Sequence, residues 1–206
     1  MPLLVVAAWE PELERFRQLR TSHDLVMGAV GVGAIDAAIG ATQLLAQHQP
    51  NNVLLIGTAG AHVGLEIGDV VVANSVMVAD LSTLEGKAAF VFESSIAASD
   101  PGLVSALVEA GARSARVMNT LGVTTDDELA ARLARHAEVE HLEAYAVARA
   151  CQRAQVPCTI ALGIANMVGS SGREAWRAHH VEVSARVAEV VADALVRSSR
   201  GEHSPG

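Results

Sequence analysis

The chain has 206 residues, half of them apolar and 18% charged, with a formal net charge of −8. At roughly 150 residues per domain this length indicates one domain, and the apolar content excludes a disordered chain and supplies a sizeable core. The six aromatic residues are Trp9, Phe16, Phe90, Phe92, Tyr145 and Trp176; so few rings and so acidic a balance argue against a nucleic-acid partner, which needs stacking platforms and a basic footprint.

Short apolar runs alternate with helical patterns. Residues 3–8 (LLVVAA) read as a buried strand, followed by a helix with acidic residues at its start, from Glu10 to about Arg20. No basic residue precedes this opening, so a secretory leader is not expected. DLVMGAVGV is the next strand and leads into a helix over Ala34–His48; NNVLLIGTAG is a third, continuously apolar as buried strands are. GDVVVANSVMVA reads as a long strand and AAFVFES (88–94) as a shorter one. Asp100 is placed to cap a helix reaching about Ala110, with Pro101 at its first position. A strand at Ala115–Leu121, a loop rich in Thr and Asp at 122–127 and a helix over Glu128–His136 follow. Then come the β-like VEHL, a helix over Glu143–Gln155, the strand PCTIALGIAN and a long helix from about Arg173 to Arg197. Residues 198–206 read as a frayed tail, which leaves a domain over 1–197. The alternation predicts a single α/β domain with a mostly parallel, mixed twisted sheet flanked by helices. Sites in such folds gather at the carboxyl ends of strands.

The apolar stretches fall short of the roughly 18 residues of a membrane span. Cys151 and Cys158 form no CxxC pair and suit two reduced thiols in the cytoplasm. The run Gly28 to Gly33 (GAVGVG) misses the dinucleotide-binding spacing, since Asp36 stands where the third glycine belongs. No other nucleotide, metal or nucleophile-elbow motif occurs, and the eight histidines show no ligand spacing. Carboxylates carry more. Glu10, Glu12 and Glu14 follow the first strand, and at least one faces the strand-end crevice. Glu143 opens the helix EAYAVARA, either as a compensating charge at a helix N-terminus or as a site residue. Asn166 ends an apolar strand, which suggests a planar hydrogen-bonding group at a pocket floor.

The segments AAWEPEL, GVGAIDAAIGATQLL, IGTAGAHVGLEIGDVVVA, EHLEAYAVARACQRAQVP and GIANMVG occur in the order found in the nucleoside phosphorylase/nucleosidase superfamily, and over nearly its full length the chain resembles that superfamily. Its ending, ANMVGSSGREAW, is most similar to the futalosine hydrolase family. The resemblance implies a nucleoside phosphorylase-like fold, a purine nucleoside substrate, no metal or organic cofactor, and a homodimer or higher homo-oligomer. It places Glu12 on the water-activating carboxylate and Glu143 on the glutamate that binds the ribose hydroxyls. Leu142 replaces a methionine that lies against the sugar. Thr58, followed by Ala59 and Gly60, falls near ribose and water. Asn166 replaces the aspartate that protonates adenine in relatives. An amide donates to the carbonyl of a 6-oxopurine where a carboxylate repels it, so Asn166 favours hypoxanthine, as in futalosine, over adenine.

Phosphorylases of the superfamily hold phosphate with arginines, several in the first half of the chain. Here no arginine lies between Thr21 and Ala112, which favours water over phosphate as nucleophile; Arg15 or Arg17 remains a possible intruder. The AxGG turn reads AGA, His141 stands in place of Asn or Asp, and the loop TTDDE lacks the base-stacking phenylalanine. Trp176 is the candidate for base contact and Trp9 for the 5′ substituent, with core packing open to both. The rival readings are an adenine-type or other purine nucleosidase and a catalytically silent nucleoside-binding relative.

Overall fold

The five longest apolar runs become strands of one eight-stranded sheet in the computed structural model, which describes residues 2–19, 25–98 and 100–201. The strands are β1 (Leu3–Ala7), β2 (Leu25–Ala29), β3 (Asn52–Ala61), β4 (Val70–Val78), β5 (Ser95–Ala97), β6 (Arg113–Asn119), β7 (Val139–His141) and β8 (Cys158–Met167). Strand β3 organises the sheet. One edge takes β1 in parallel, from Leu3 opposite Asn52 to Val6 opposite Leu55, and β2 extends the sheet beyond β1. Where β1 stops, the vacated edge is taken by β7, antiparallel at Gly60 and Ala61. The other edge of β3 takes β8 along its length. Strand β8 also pairs with β4, β4 with β6, and β6 with β7, so β3, β8, β4, β6 and β7 form a closed ring. Closure satisfies the backbone of all five and gathers their ends around one opening.

Helices cover both faces. Helices α2 (Ala34–His48) and α6 (Ala144–Ala154) pack on one core cluster through Ala37, Ala41, Leu45, Val147 and Cys151. On the other face, α1 (Glu14–Gln18), α4 (Pro101–Glu109) and α7 (Gly172–Gly201) bury Phe16, Leu107, Val187, Val191 and Leu195. Helix α7 lies against β8 because Gly163 leaves room: a Cβ there would stand 2.3 Å from Val183. Asp100 caps α4 as expected, accepting from the Leu103 N–H at 2.9 Å, with Pro101 at the start. Two short helices complete the described set, α3 (Leu81–Leu84) and α5 (Asp127–Leu133).

Three expectations change. Residues 88–94 (AAFVFES) are not a strand. The segment just after them, β5, pairs with β4 instead, and the run is held by aromatic contacts: Phe90 and Phe92 stand 4.9 Å apart and Phe92 lies 6.4 Å from Tyr145, while Val91 is fully exposed. The first helix divides into a 3₁₀ turn over Glu10–Leu13, with Pro11 at its start, and the short α1 ending at Gln18; Arg20 lies outside the described residues. Helix α7 continues past Arg197 to Gly201, so four residues of the expected tail (198–206) are helical and the other five lie outside the described residues. Among the described residues no helix is long and apolar enough to cross a membrane.

Candidate active site

Strand β1 brings the chain to the ring opening, and the 3₁₀ turn, closed by the Glu12 N–H on the Trp9 carbonyl (3.2 Å), folds Glu12 back towards β3. Glu12 is 5% exposed. Its Oε1 accepts from the Thr58 N–H (2.9 Å) and the Thr58 hydroxyl (2.8 Å), and that hydroxyl accepts from the Trp176 indole N–H (3.0 Å). Its Oε2 is buried without a hydrogen-bond partner. Burial pushes the Glu12 pKa up to about 7; the bonds from Thr58 pull the other way, and the charge of Glu143 adds to the rise. Desolvation disfavours the charged form most where water is excluded, so this carboxylate can exchange a proton near neutral pH.

Glu143 opens α6. Its Oε1 accepts from the Gly33 N–H at 2.6 Å, and Gly33 presents that N–H from a positive φ of 86° that suits glycine. The loop that missed the dinucleotide spacing thus holds a carboxylate. His141 explains its own departure from Asn or Asp. Its Nδ1 accepts from the backbone N–H groups of Glu143 and Ala144, both at 3.1 Å, which satisfies the first donors of α6 as a short polar side chain would. Two donors aimed at Nδ1 require its lone pair, so the ring is neutral with its proton on Nε2, in keeping with burial lowering its pKa. The 3.2 Å approach of Glu143 Oε2 to Nδ1 is therefore not an ion pair. Asn119, buried at the end of β6, fixes the same turn: it donates to the carbonyls of Leu142 and Thr120 and accepts from the Tyr145 N–H.

These residues border one cavity of about 570 Å³, within the range of small-molecule sites. All nine site residues expected from the sequence line it: Trp9, Glu12, Thr58, Ala59, Gly60, Leu142, Glu143, Asn166 and Trp176. Asn166 follows a bulge in β8, where Ile164 faces Ala59 and Asn166 faces Gly60; such an extra residue re-aims a side chain. Its Nδ2 donates to the Met167 carbonyl (2.8 Å) and sits close to both Gly60 and Gly172, leaving a second amide proton for a ligand. Trp176 has one ring face stacked on His180 at 4.3 Å, with Trp9 beside the pair, 6.3 Å from Trp176 and 6.2 Å from His180.

Sequence reasoning missed Glu140, Thr125, Val32, Val123 and Arg173, which also line the cavity. Glu140 had a signal, a carboxylate inside the β-like VEHL. It is buried, its pKa is raised by that burial, and it clamps the 120–127 loop by accepting from the N–H (3.0 Å) and hydroxyl (2.5 Å) of Thr124. Arg173 is the one cation among the described lining residues. Arg15 and Arg17 are paired elsewhere, with Glu189 (2.7 Å) and Glu10, and neither lines the cavity. A larger apolar groove of 830 Å³ between α2 and α6 has no carboxylate in its lining.

A phosphorylase superfamily profile matches residues 9–200. The chain is 28% identical to a 5′-methylthioadenosine/S-adenosylhomocysteine nucleosidase of Chromohalobacter salexigens, over 84% of this chain and 80% of that protein. It is also 28% identical to the futalosine hydrolase of Thermus thermophilus, over 85% and 83%. The fold is that of Helicobacter pylori futalosine hydrolase (TM-score 0.84, 18% identity, 95% and 97% coverage). It equally matches the Colwellia psychrerythraea methylthioadenosine/S-adenosylhomocysteine nucleosidase in complex with adenine (TM-score 0.84, 19% identity, 96% and 95% coverage).

Proposed function

The chain belongs to the phosphorylase superfamily, and from that premise we propose that it hydrolyses the N-glycosidic bond of a purine nucleoside of the futalosine type, releasing hypoxanthine and dehypoxanthinyl futalosine in menaquinone biosynthesis. Glu12 carries the reading: a buried carboxylate that titrates near neutrality and has one unpartnered oxygen in a ligand-sized cavity suits a general base for water. The nucleosidases among its relatives in sequence and fold support the same reaction class.

In this reading the C1′–N9 bond breaks with its electron pair leaving on the purine, and an oxocarbenium-like ribosyl cation forms. Glu12 removes a proton from water as the water oxygen bonds to C1′. Glu143, held by Gly33, binds the 2′- and 3′-hydroxyls and sets negative charge beside the cation. Leu142 and Thr58 border the sugar. Asn166, a neutral amide with no proton to give up, donates a hydrogen bond to the 6-oxo leaving group, which takes its proton from a second water; the hydroxide left behind takes the proton from Glu12 and restores the base. Trp176 and Trp9 border the base and the 5′ end. Arg173, without an ion-pair partner among the described residues, suits the carboxylate of futalosine. With Arg15 and Arg17 paired elsewhere, the cavity lacks the arginine set of a phosphate site.

The protein acts, in this reading, as a cytoplasmic homodimer or higher homo-oligomer. Ile35 and Ile39 share one face of α2, with Val32 in the loop just ahead of it, and the three are 74%, 54% and 61% exposed, an apolar surface that a second copy would cover. Incubation with futalosine, inosine and methylthioadenosine, with free base quantified, tests the substrate. Hypoxanthine from futalosine at the highest rate is expected; adenine from methylthioadenosine with no hypoxanthine would overturn the assignment in favour of the adenine-type relatives.

A further inference from the structure

An indole N–H only donates and a hydroxyl has one proton; together these set a direction along the chain Trp176, Thr58, Glu12. The Trp176 proton arrives at Thr58 Oγ1 (3.0 Å), so the proton of Thr58 is directed to its other near partner, Glu12 Oε1 (2.8 Å), where the Thr58 N–H also donates (2.9 Å). Oε1 therefore faces two donors and has no room for a proton of its own. The other oxygen, Oε2, is buried and unpartnered. We infer that Trp176 is a positioning residue for the base: by fixing the sense of the Thr58 hydroxyl it reserves Oε1 as an acceptor and leaves Oε2 as the atom that takes the proton from water.

This inference rests on Glu12 being the base. The indole is placed by the fold before any ligand arrives. It stacks on His180 with planes 16° apart, the Trp176 backbone carbonyl lies 3.1 Å from His180 Nδ1, and the helix carrying both is seated on Gly163 of β8 through Val183 and Val187. Neither aromatic bulk nor a polar group alone performs this task. It needs a ring that donates and does not accept, and of the aromatic side chains only tryptophan meets that requirement.

Trp176→Phe keeps the ring and removes the donor. The Thr58 hydroxyl is then free to turn away, the ionised Glu12 loses part of its support, and the acidic limb of the kcat–pH profile moves up by about half to one pH unit. The variant is then about 3- to 10-fold slower than wild type at pH 6, and the gap narrows as the pH rises towards 9. Thr58→Val moves the limb in the same direction, while Thr58→Ser retains a wild-type profile; this pair carries the test should Trp176→Phe fail to fold. A uniform loss at every pH, or a change confined to KM, would show that Trp176 serves packing or base contact and not the Thr58 hydroxyl, and would overturn the inference. A fully active Glu12→Gln variant would instead remove the base itself. An inactive Glu12→Gln with an unmoved Trp176→Phe profile would leave the base standing and defeat only the role of Trp176.

Discussion

Glu12 and Glu143 line the same cavity, are about equally buried at 5% and 4% exposure, and are held in opposite ways. Glu12 accepts two hydrogen bonds from Thr58 on one oxygen, and its second oxygen is bare. Glu143 sits at a helix N-terminus with one oxygen on a short bond from Gly33 and the other beside a neutral imidazole. The first arrangement leaves a proton site open; the second pins a charge in place. Identical side chains in one pocket thus suit two tasks, a reagent and an anchor, because the donors around them differ.

The largest effect that would break this division is on turnover. Glu12→Gln keeps shape and loses the proton acceptor, so kcat should fall about 10³-fold with KM within about 3-fold, as removal of a general base predicts; steady-state kinetics with comparable turnover in the variant would end the assignment. Glu143→Gln should act mainly through binding, lowering kcat/KM about 10- to 100-fold, the size of a lost charged hydrogen bond, with most of the loss in KM. If instead Glu143→Gln lost only kcat, the two roles would have to be exchanged or merged.

Stability sharpens the contrast. A carboxyl whose folded pKa stands at about 7 against an ordinary 4.5 binds its proton more tightly when folded, so its stabilising contribution is full below about pH 4.5 and is lost as the pH rises through 7. Glu12→Gln removes that loss. Thermal unfolding should show the variant up to about 3 kcal/mol more stable than wild type at pH 8.5, with the difference fading near pH 4.5; a constant difference across that range would contradict a raised Glu12 pKa. The smallest effect concerns the turn behind Glu143. His141→Ala removes the acceptor for two N–H groups of α6 and should cost about 1 kcal/mol, whereas His141→Asn, which can accept in the same place, should cost less. Equal losses in a denaturant titration would argue against the cap.

Much of this arrangement was legible in the sequence, for local reasons. Continuous apolar runs marked β1, β3, β4 and β8, the Asp100–Pro101 pair marked the start of α4, and polar residues at the ends of apolar runs marked Glu12, Thr58, Glu143 and Asn166. What stayed hidden depends on partners distant in the chain. Residues 88–94 have the composition of a strand, yet the segment that pairs with β4 is the next one, the three-residue β5, which no apolar run marked. The work of Gly33 for Glu143 crosses 110 positions and that of Trp176 for Thr58 crosses 118. Glu140 and Asn119 were passed over because each sits within a strand segment, where only the folded loop contacts reveal the polar partner.

The central claim is that the cavity activates water, and the fate of the oxygen tests it most directly. Turnover of futalosine in ¹⁸O-enriched water, with and without inorganic phosphate, should give a sugar product carrying the heavy isotope at C1′ and a rate of hypoxanthine release indifferent to phosphate. A ribosyl phosphate product, or release that requires phosphate, would contradict the account.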